Sequence, residues 1–194
     1  MNLTAVRQPE DIVTRHFGES LFAARHLFPR AESENAPTRQ STPRPPQPSM
    51  AFERLDEKQS PRLIDVGSGA GFPGLPMKIW FPQTHVTLVE SNHKKATFLR
   101  EVSRVLTLTD VDVFGGRAED FQAAGDLVSL RAVEHFENVL PIASRLVAPH
   151  SRLVLLIVRR QMDCVARMSP AFQWSEPISI PLSESRILLI GRRI

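Results

Sequence analysis

The chain has 194 residues, 42% hydrophobic and 23% charged, the balance of a globular protein with one sizeable core. Its 24 Lys and Arg against 21 Asp and Glu leave a formal charge of +3, so a nucleic-acid partner is permitted but not demanded. Cys164 is the single cysteine, which excludes an internal disulfide or a cysteine-held zinc. No run reaches the roughly 20 apolar residues of a membrane span, and the N-terminus lacks a signal peptide's apolar core; a reducing, cytoplasmic setting is expected.

Residues 9–28 read as a helical arm. Pro9 suits a first helical position, Glu10 and Asp11 suit the positive end of the dipole, and Ile12, Val13, Phe17, Leu21 and Ala24 recur near helical spacing. Between Phe28 and Met50 there is no large apolar residue, while prolines stand at 29, 37, 43, 45, 46 and 48. These prolines forbid a regular helix or central strand, so 29–50 is expected to be a flexible linker. Residues 51–194 are the expected catalytic-size domain, and 1–28 the arm.

From residue 51 strands alternate with helices. Short apolar runs fall at 62–66, 85–89, 111–114, 126–130, 152–158 and 187–190, with a weaker one at 178–180. Most are apolar on both faces, as in strands covered by helices on each side. Phe98, Leu99, Val102, Val105 and Leu106 give one helical stripe; Phe136, Val139, Leu140, Ala143 and Val147 give another. The last two runs are separated only by PLSESR, too short for a crossover helix, so they should pair antiparallel. The expected fold is α/β, a mostly parallel seven-stranded sheet ending in an antiparallel hairpin, the Rossmann-like layout of class I methyltransferases.

The stretch RLIDVGSGAGFPGLP, residues 62–76, puts a glycine turn where the first strand of such a sheet ends and ligands bind. A phosphate-binding P-loop fails, because Leu75 and Pro76 stand where lysine and a hydroxyl are needed. The dinucleotide pattern is literally present at Gly69, Gly71 and Gly74, but the glycines already begin at Gly67, and Pro73 marks the expected helix start. The third reading is an acid, Asp65, two residues before Gly67. A carboxylate facing the ligand would repel a pyrophosphate and welcome the ammonium and sulfonium of S-adenosylmethionine. Glu90 ends the second strand, where it can accept both ribose hydroxyls of either cofactor. The six histidines fit no metal-ligand spacing.

DVGSGAGFPGLP, VTLVESNHKKATFLREV, GRAED and LRAVEHF together resemble the bacterial small-subunit (16S) rRNA guanine-N7 methyltransferases, the RsmG (GidB) family. NLTAVRQPEDIVTRHFGESL resembles the segment before that family's catalytic domain. The resemblance implies S-adenosylmethionine as cofactor and small-subunit rRNA, within a ribosomal particle, as partner. It implies cofactor contacts at Gly67, Phe72, Ala118, Glu119 and Arg131, which join Asp65, Gly69 and Glu90 from the loop and strand-end reading, with Arg131 nearest the transferred methyl and no catalytic residue assigned. Departures stand beside it. Met1 directly precedes NLTA, so the family's usual preceding helices are either lost or encoded upstream. APHSR replaces a glycine turn, and IVRRQ replaces the usual Lys-Gly. The alternative function is a cofactor-binding relative that has lost RNA methylation or acts on another substrate; an NAD-dependent oxidoreductase using the decoy glycines is the third.

Overall fold

A computed structural model describes residues 8–28 and 60–194; the expected linker at 29–50 lies outside them. One sheet of eight strands forms the centre: β1 (Arg62–Val66), β2 (His85–Val89), β3 (Val111–Phe114), β4 (Gly125–Arg131), β5 (Val147–Val158), β6 (Phe172–Trp174), β7 (Ile178–Ser179) and β8 (Arg186–Arg193). The order is β3-β2-β1-β4-β5-β8-β6, with β7 also on β8. Strands β1 to β5 pair parallel, and β8 enters antiparallel beside β5. The run at 178–180 and the run at 187–190 do pair antiparallel, Ile178 opposite Leu188.

Two differences from expectation have local causes. The eighth strand, β6, is three residues with only Phe172 buried, so it carries no apolar run to announce it. Val147 continues the stripe of α5 in sequence, yet α5 (Phe136–Arg145) stops short and Val147 opens β5. The chain bends within APHSR without a glycine: His150 itself adopts a left-handed φ of 60°.

Apolar residues fill both sides of the sheet. Ile64, Val66, Val128, Leu130, Leu153 and Leu155 pack under α5 and α6 (Met162–Met168). Leu63, Val86, Leu88, Leu127, Val154 and Leu156 pack on the other side with α3 (Gly74–Trp80), α4 (His93–Val105) and the arm. The alternation of 63, 64 and 66 between clusters is the pleat of a strand covered on both faces. Asn92 caps α4 by accepting from the Lys94 and Lys95 amides, at 3.0 and 3.2 Å.

The arm is helical from Pro9, as α1 (Pro9–Asp11), a π-helical stretch Ile12–Gly18, and α2 (Glu19–Leu27). Its buried face meets the apolar stripe only at Ala24. Val13 is 61% and Phe17 41% exposed, whereas His16, Glu19, Ser20, Ala23, Ala24 and Leu27 are buried. The spacing of this second set is also helical, but its first half is polar. Apolar packing holds the far end, where Phe28 stacks on Phe81 at 4.7 Å.

Candidate functional site

The strand order reverses between β1 and β4, and their carboxyl ends open a cleft of about 1150 Å³. Seven of the eight expected cofactor residues line it: Gly67, Gly69, Phe72, Glu90, Ala118, Glu119 and Arg131. The glycine loop supplies the floor. The Gly67 and Ser68 amides both donate to Val89 O, at 2.9 and 3.1 Å, which ties the loop to the end of β2. A Cβ on Gly67 would lie 2.9 Å from Val133 Cγ1, so backbone alone fits there.

Glu90 is 7% exposed and braces the same loop. Its Oε2 accepts from the Gly69 amide at 2.9 Å and its Oε1 from the Asn92 amide at 2.8 Å. On the neighbouring side a 3-10 turn spans Ala118–Asp120. Ala118 packs against the core, while Glu119 pairs with Arg117 at 3.1 Å, which holds its carboxyl below the ordinary range.

Asp65 is the correction. It does not line the cleft, and it is 1% exposed. Its Oδ1 accepts from Ser129 Oγ at 2.7 Å and its Oδ2 from the Gly74 amide at 3.2 Å. The reason is register: Asp65 lies opposite Ser129 on β4, so its carboxyl turns to the neighbouring strand and the start of α3 rather than to the ligand. The expected choice of a cationic cofactor on the charge of Asp65 therefore loses its basis; this acid braces the loop from behind.

Burial pushes Asp65 up to about 6, against the lowering effect of its Ser129 and Gly74 hydrogen bonds. A carboxyl raised in the fold favours folding below its unfolded value of 3.8, and that contribution is lost as pH rises through about 6. The loss amounts to about 3 kcal/mol at one pKa unit per 1.4 kcal/mol. Asp65→Asn is expected to remove this decline: the difference in melting temperature between variant and wild type rises with pH from about 4 to about 7. The same variant should keep cofactor affinity within about threefold by calorimetry, since the charge does not face the ligand. A tenfold loss in a folded protein would return Asp65 to the cleft.

The wall opposite the loop comes from the arm, which the sequence pattern did not assign to the site. Arg131, at the end of β4, donates through Nε and Nη2 to Glu19 Oε2 at 3.2 and 3.0 Å. Its Nη2 also reaches Arg15 O at 2.8 Å and lies 2.9 Å from His16 Nδ1. Since a guanidinium only donates, His16 Nδ1 is the acceptor and its ring proton sits on Nε2. Burial, then the nearby Arg131, Arg15 and Arg186, lower His16 to about 4, so it is neutral at pH 7. His16 stacks on Phe72 at 5.0 Å, and Phe17 meets Phe72 edge-on at 4.9 Å. Arg186, at the start of β8, completes the group with Nε 3.0 Å from Glu19 Oε1. The π-helical stretch carries Arg15 and His16 into the cleft wall, a common use of such turns. The one signal available in sequence was the helical spacing of His16, Glu19, Ser20, Ala23, Ala24 and Leu27.

Among the described residues no group of three or more His, Cys, Asp or Glu side chains could hold a metal ion. No helix among them is long and apolar enough to cross a membrane.

Residues 49–183 match the family model for rRNA small subunit methyltransferase G. A "Ribosomal RNA small subunit methyltransferase G" of Roseiflexus castenholzii is 36% identical over 204 aligned positions, covering 98% of this chain and 74% of that protein. One from Xanthomonas euvesicatoria is 33% identical, covering 99% and 78%. The chain belongs to the rRNA small subunit methyltransferase G family. Its fold is that of S-adenosylmethionine-dependent methyltransferases. The "Crystal structure of M. jannaschii TYW2 in complex with AdoMet" aligns with a TM-score of 0.58 at 14% identity, over 70% of each chain.

The cofactor of this family, S-adenosylmethionine, fits the donor set of the cleft. Glu90 is a buried acid at the end of β2; Gly67 and Gly69 offer backbone without side chains; and Phe72 offers an apolar ring. At about 1150 Å³ the cleft lies just above the usual range of ligand-site volumes, roughly 300–1,000 Å³.

Proposed function

We propose that this member of the methyltransferase G family transfers the methyl group of S-adenosylmethionine to N7 of a guanine in small-subunit rRNA, in the cytoplasm and on a ribosomal particle. The observation that carries the reading is the convergence of seven expected residues from four strand ends into one cleft, closed by the arm. Glu90 holds the ribose, Gly67 and Gly69 receive the methionyl and adenosyl backbone contacts, Phe72 packs on apolar parts, and Ala118 and Glu119 face the adenine. Arg131 closes the methyl end.

The cofactor supplies a methyl on a positively charged sulfur. The guanine N7 lone pair forms the new N–C bond as the S–C bond breaks, leaving S-adenosylhomocysteine and a cationic 7-methylguanine. N7 bears no proton, so attack needs no general base. The protein's task is to align the reacting atoms and exclude water. Of the acids that line the cleft, Glu90 is engaged by two backbone amides and Glu119 by Arg117, while Glu134 is exposed to solvent. Mass mapping of methylated guanines in small-subunit rRNA, from cells with and without the gene, tests the reading. One 7-methylguanine is expected to vanish with the gene; an unchanged map would leave the chain a cofactor-binding relative with another substrate.

A further inference from the structure

Three arginines, Arg15, Arg131 and Arg186, line one wall of the cleft, around a single carboxylate. Glu19 serves Arg131 and Arg186 with one oxygen each: Oε2 takes Arg131 and Oε1 lies 3.0 Å from Arg186. His16, which touches Arg131, brings no compensating charge. Three cations therefore gather about the one carboxylate of Glu19, and the exposed Glu134 also lines the cleft. Arg186 feels this most. Its side chain is 15% exposed, and its Nε, buried beside Glu19, meets that oxygen off the N–H direction and makes no hydrogen bond. Burial lowers its pKa, Arg131 and Arg15 lower it further, and Glu19 is the acid that opposes them. A group so placed lacks an oxyanion.

Two anions can reach this wall, the carboxylate of the cofactor's methionyl end and a phosphodiester of the substrate strand. The sheet order separates them. The residues proposed to hold the cofactor lie over β1 to β4, whereas β8 lies beyond β5 on the side away from β2 and β3. Arg15 lines the same cleft and is exposed on the arm, so the positive wall reaches the surface there.

We infer that Arg186, set by Glu19 beside Arg131, is a phosphate-binding residue for the RNA strand that carries the target guanine. This rests on the proposed function for the identity of the strand. A phosphate here would fix the backbone next to the target and so bring its base against Phe72 and Arg131, positioning without reading sequence.

The test is Arg186→Gln in the full chain, with Arg186→Lys as the charge-preserving variant. With small-subunit particles from cells lacking the gene, KM for the particle should rise about tenfold while kcat stays within about threefold. The dissociation constant for S-adenosylhomocysteine should stay within about twofold, which also shows that the variant folds. Binding of a short single-stranded guanine-containing RNA should lose about one unit of salt slope or slightly less, and Arg186→Lys should restore most of it. A tenfold loss of S-adenosylhomocysteine affinity with unchanged RNA binding would assign Arg186 to the cofactor carboxylate and overturn the inference. So would no change in either. A wild-type protein that methylates no guanine would sink the proposed function instead, and the RNA salt slope would still judge Arg186.

Discussion

Glu19→Ala is expected to be the most damaging single substitution outside the glycine loop. It removes the carboxylate that Arg131 and Arg186 share and leaves two guanidiniums together in a wall that is 7% and 15% exposed. Removing one partner of a buried ion pair costs about 3–5 kcal/mol, because the remaining charge stays desolvated and unpaired. Two such charges are left here, and they repel. The contacts of Arg131 to Arg15 O and His16 depend on the same guanidinium, so the arm should loosen at this end while Phe28 stays stacked on Phe81 and its carbonyl still accepts from Trp80 Nε1. Arg131 would then lose its set geometry, and a misplacement of about 1 Å at the reacting end is enough to cost about a hundredfold in rate. Denaturant unfolding and methyl-transfer assays check both effects, with amide exchange of residues 12–27 locating the loosening. Glu19→Gln should fall between, since it keeps hydrogen-bond acceptance without the charge. Stability within about 1 kcal/mol of wild type would mean that the Glu19 carboxylate does little to hold the arm.

Gly71→Ala is the second. Gly71 sits at a φ of 95°, beyond the range side chains adopt easily. An added Cβ would also lie 2.9 Å from Leu75 Cγ, closer still to Leu75 Cδ1, and 3.2 Å from Leu99 Cδ2. Leu75 and Leu99 are both core residues, so neither has room to yield. Backbone strain and overpacking each cost roughly 1–3 kcal/mol, and here they coincide. The predicted outcome is a loss of about 3 kcal/mol in unfolding free energy and at least a tenfold loss of S-adenosylhomocysteine affinity. Gly69→Ala separates the two causes, since its Cβ would find nothing nearer than Gly67 O at 3.9 Å. Calorimetry should show the Gly69 variant closer to wild type than the Gly71 variant; the reverse order would mean that ligand clearance at Gly69, rather than packing behind Gly71, governs the loop.

The sheet was legible because buried strands announce themselves as apolar runs, and the closeness of the last two runs forced an antiparallel pair. The elements that escaped carry no such run. FQW has one buried residue, and Val147 continues a helical stripe although it belongs to the next strand. At the site, the places of the glycine loop and Glu90 in the cleft were readable from strand ends, while Arg131 came through the family resemblance. Asp65 stands at a strand end too, but only register shows that it faces Ser129. The polar half of the arm's buried face was hidden for a related reason. Apolar spacing drew attention to Val13 and Phe17, while His16 and Glu19 are buried by partners more than a hundred residues away in sequence, which no local pattern encodes.

A crystal structure with S-adenosylhomocysteine bound tests the account most directly. The predicted complex has ribose hydroxyls on Glu90, adenine beside Ala118 and Glu119, and the sulfur end toward Arg131 and the arm. Asp65 should still accept from Ser129 and the Gly74 amide. A ligand lying elsewhere, or one that swings the Asp65 carboxyl round to meet it, would contradict the assignment of this cleft.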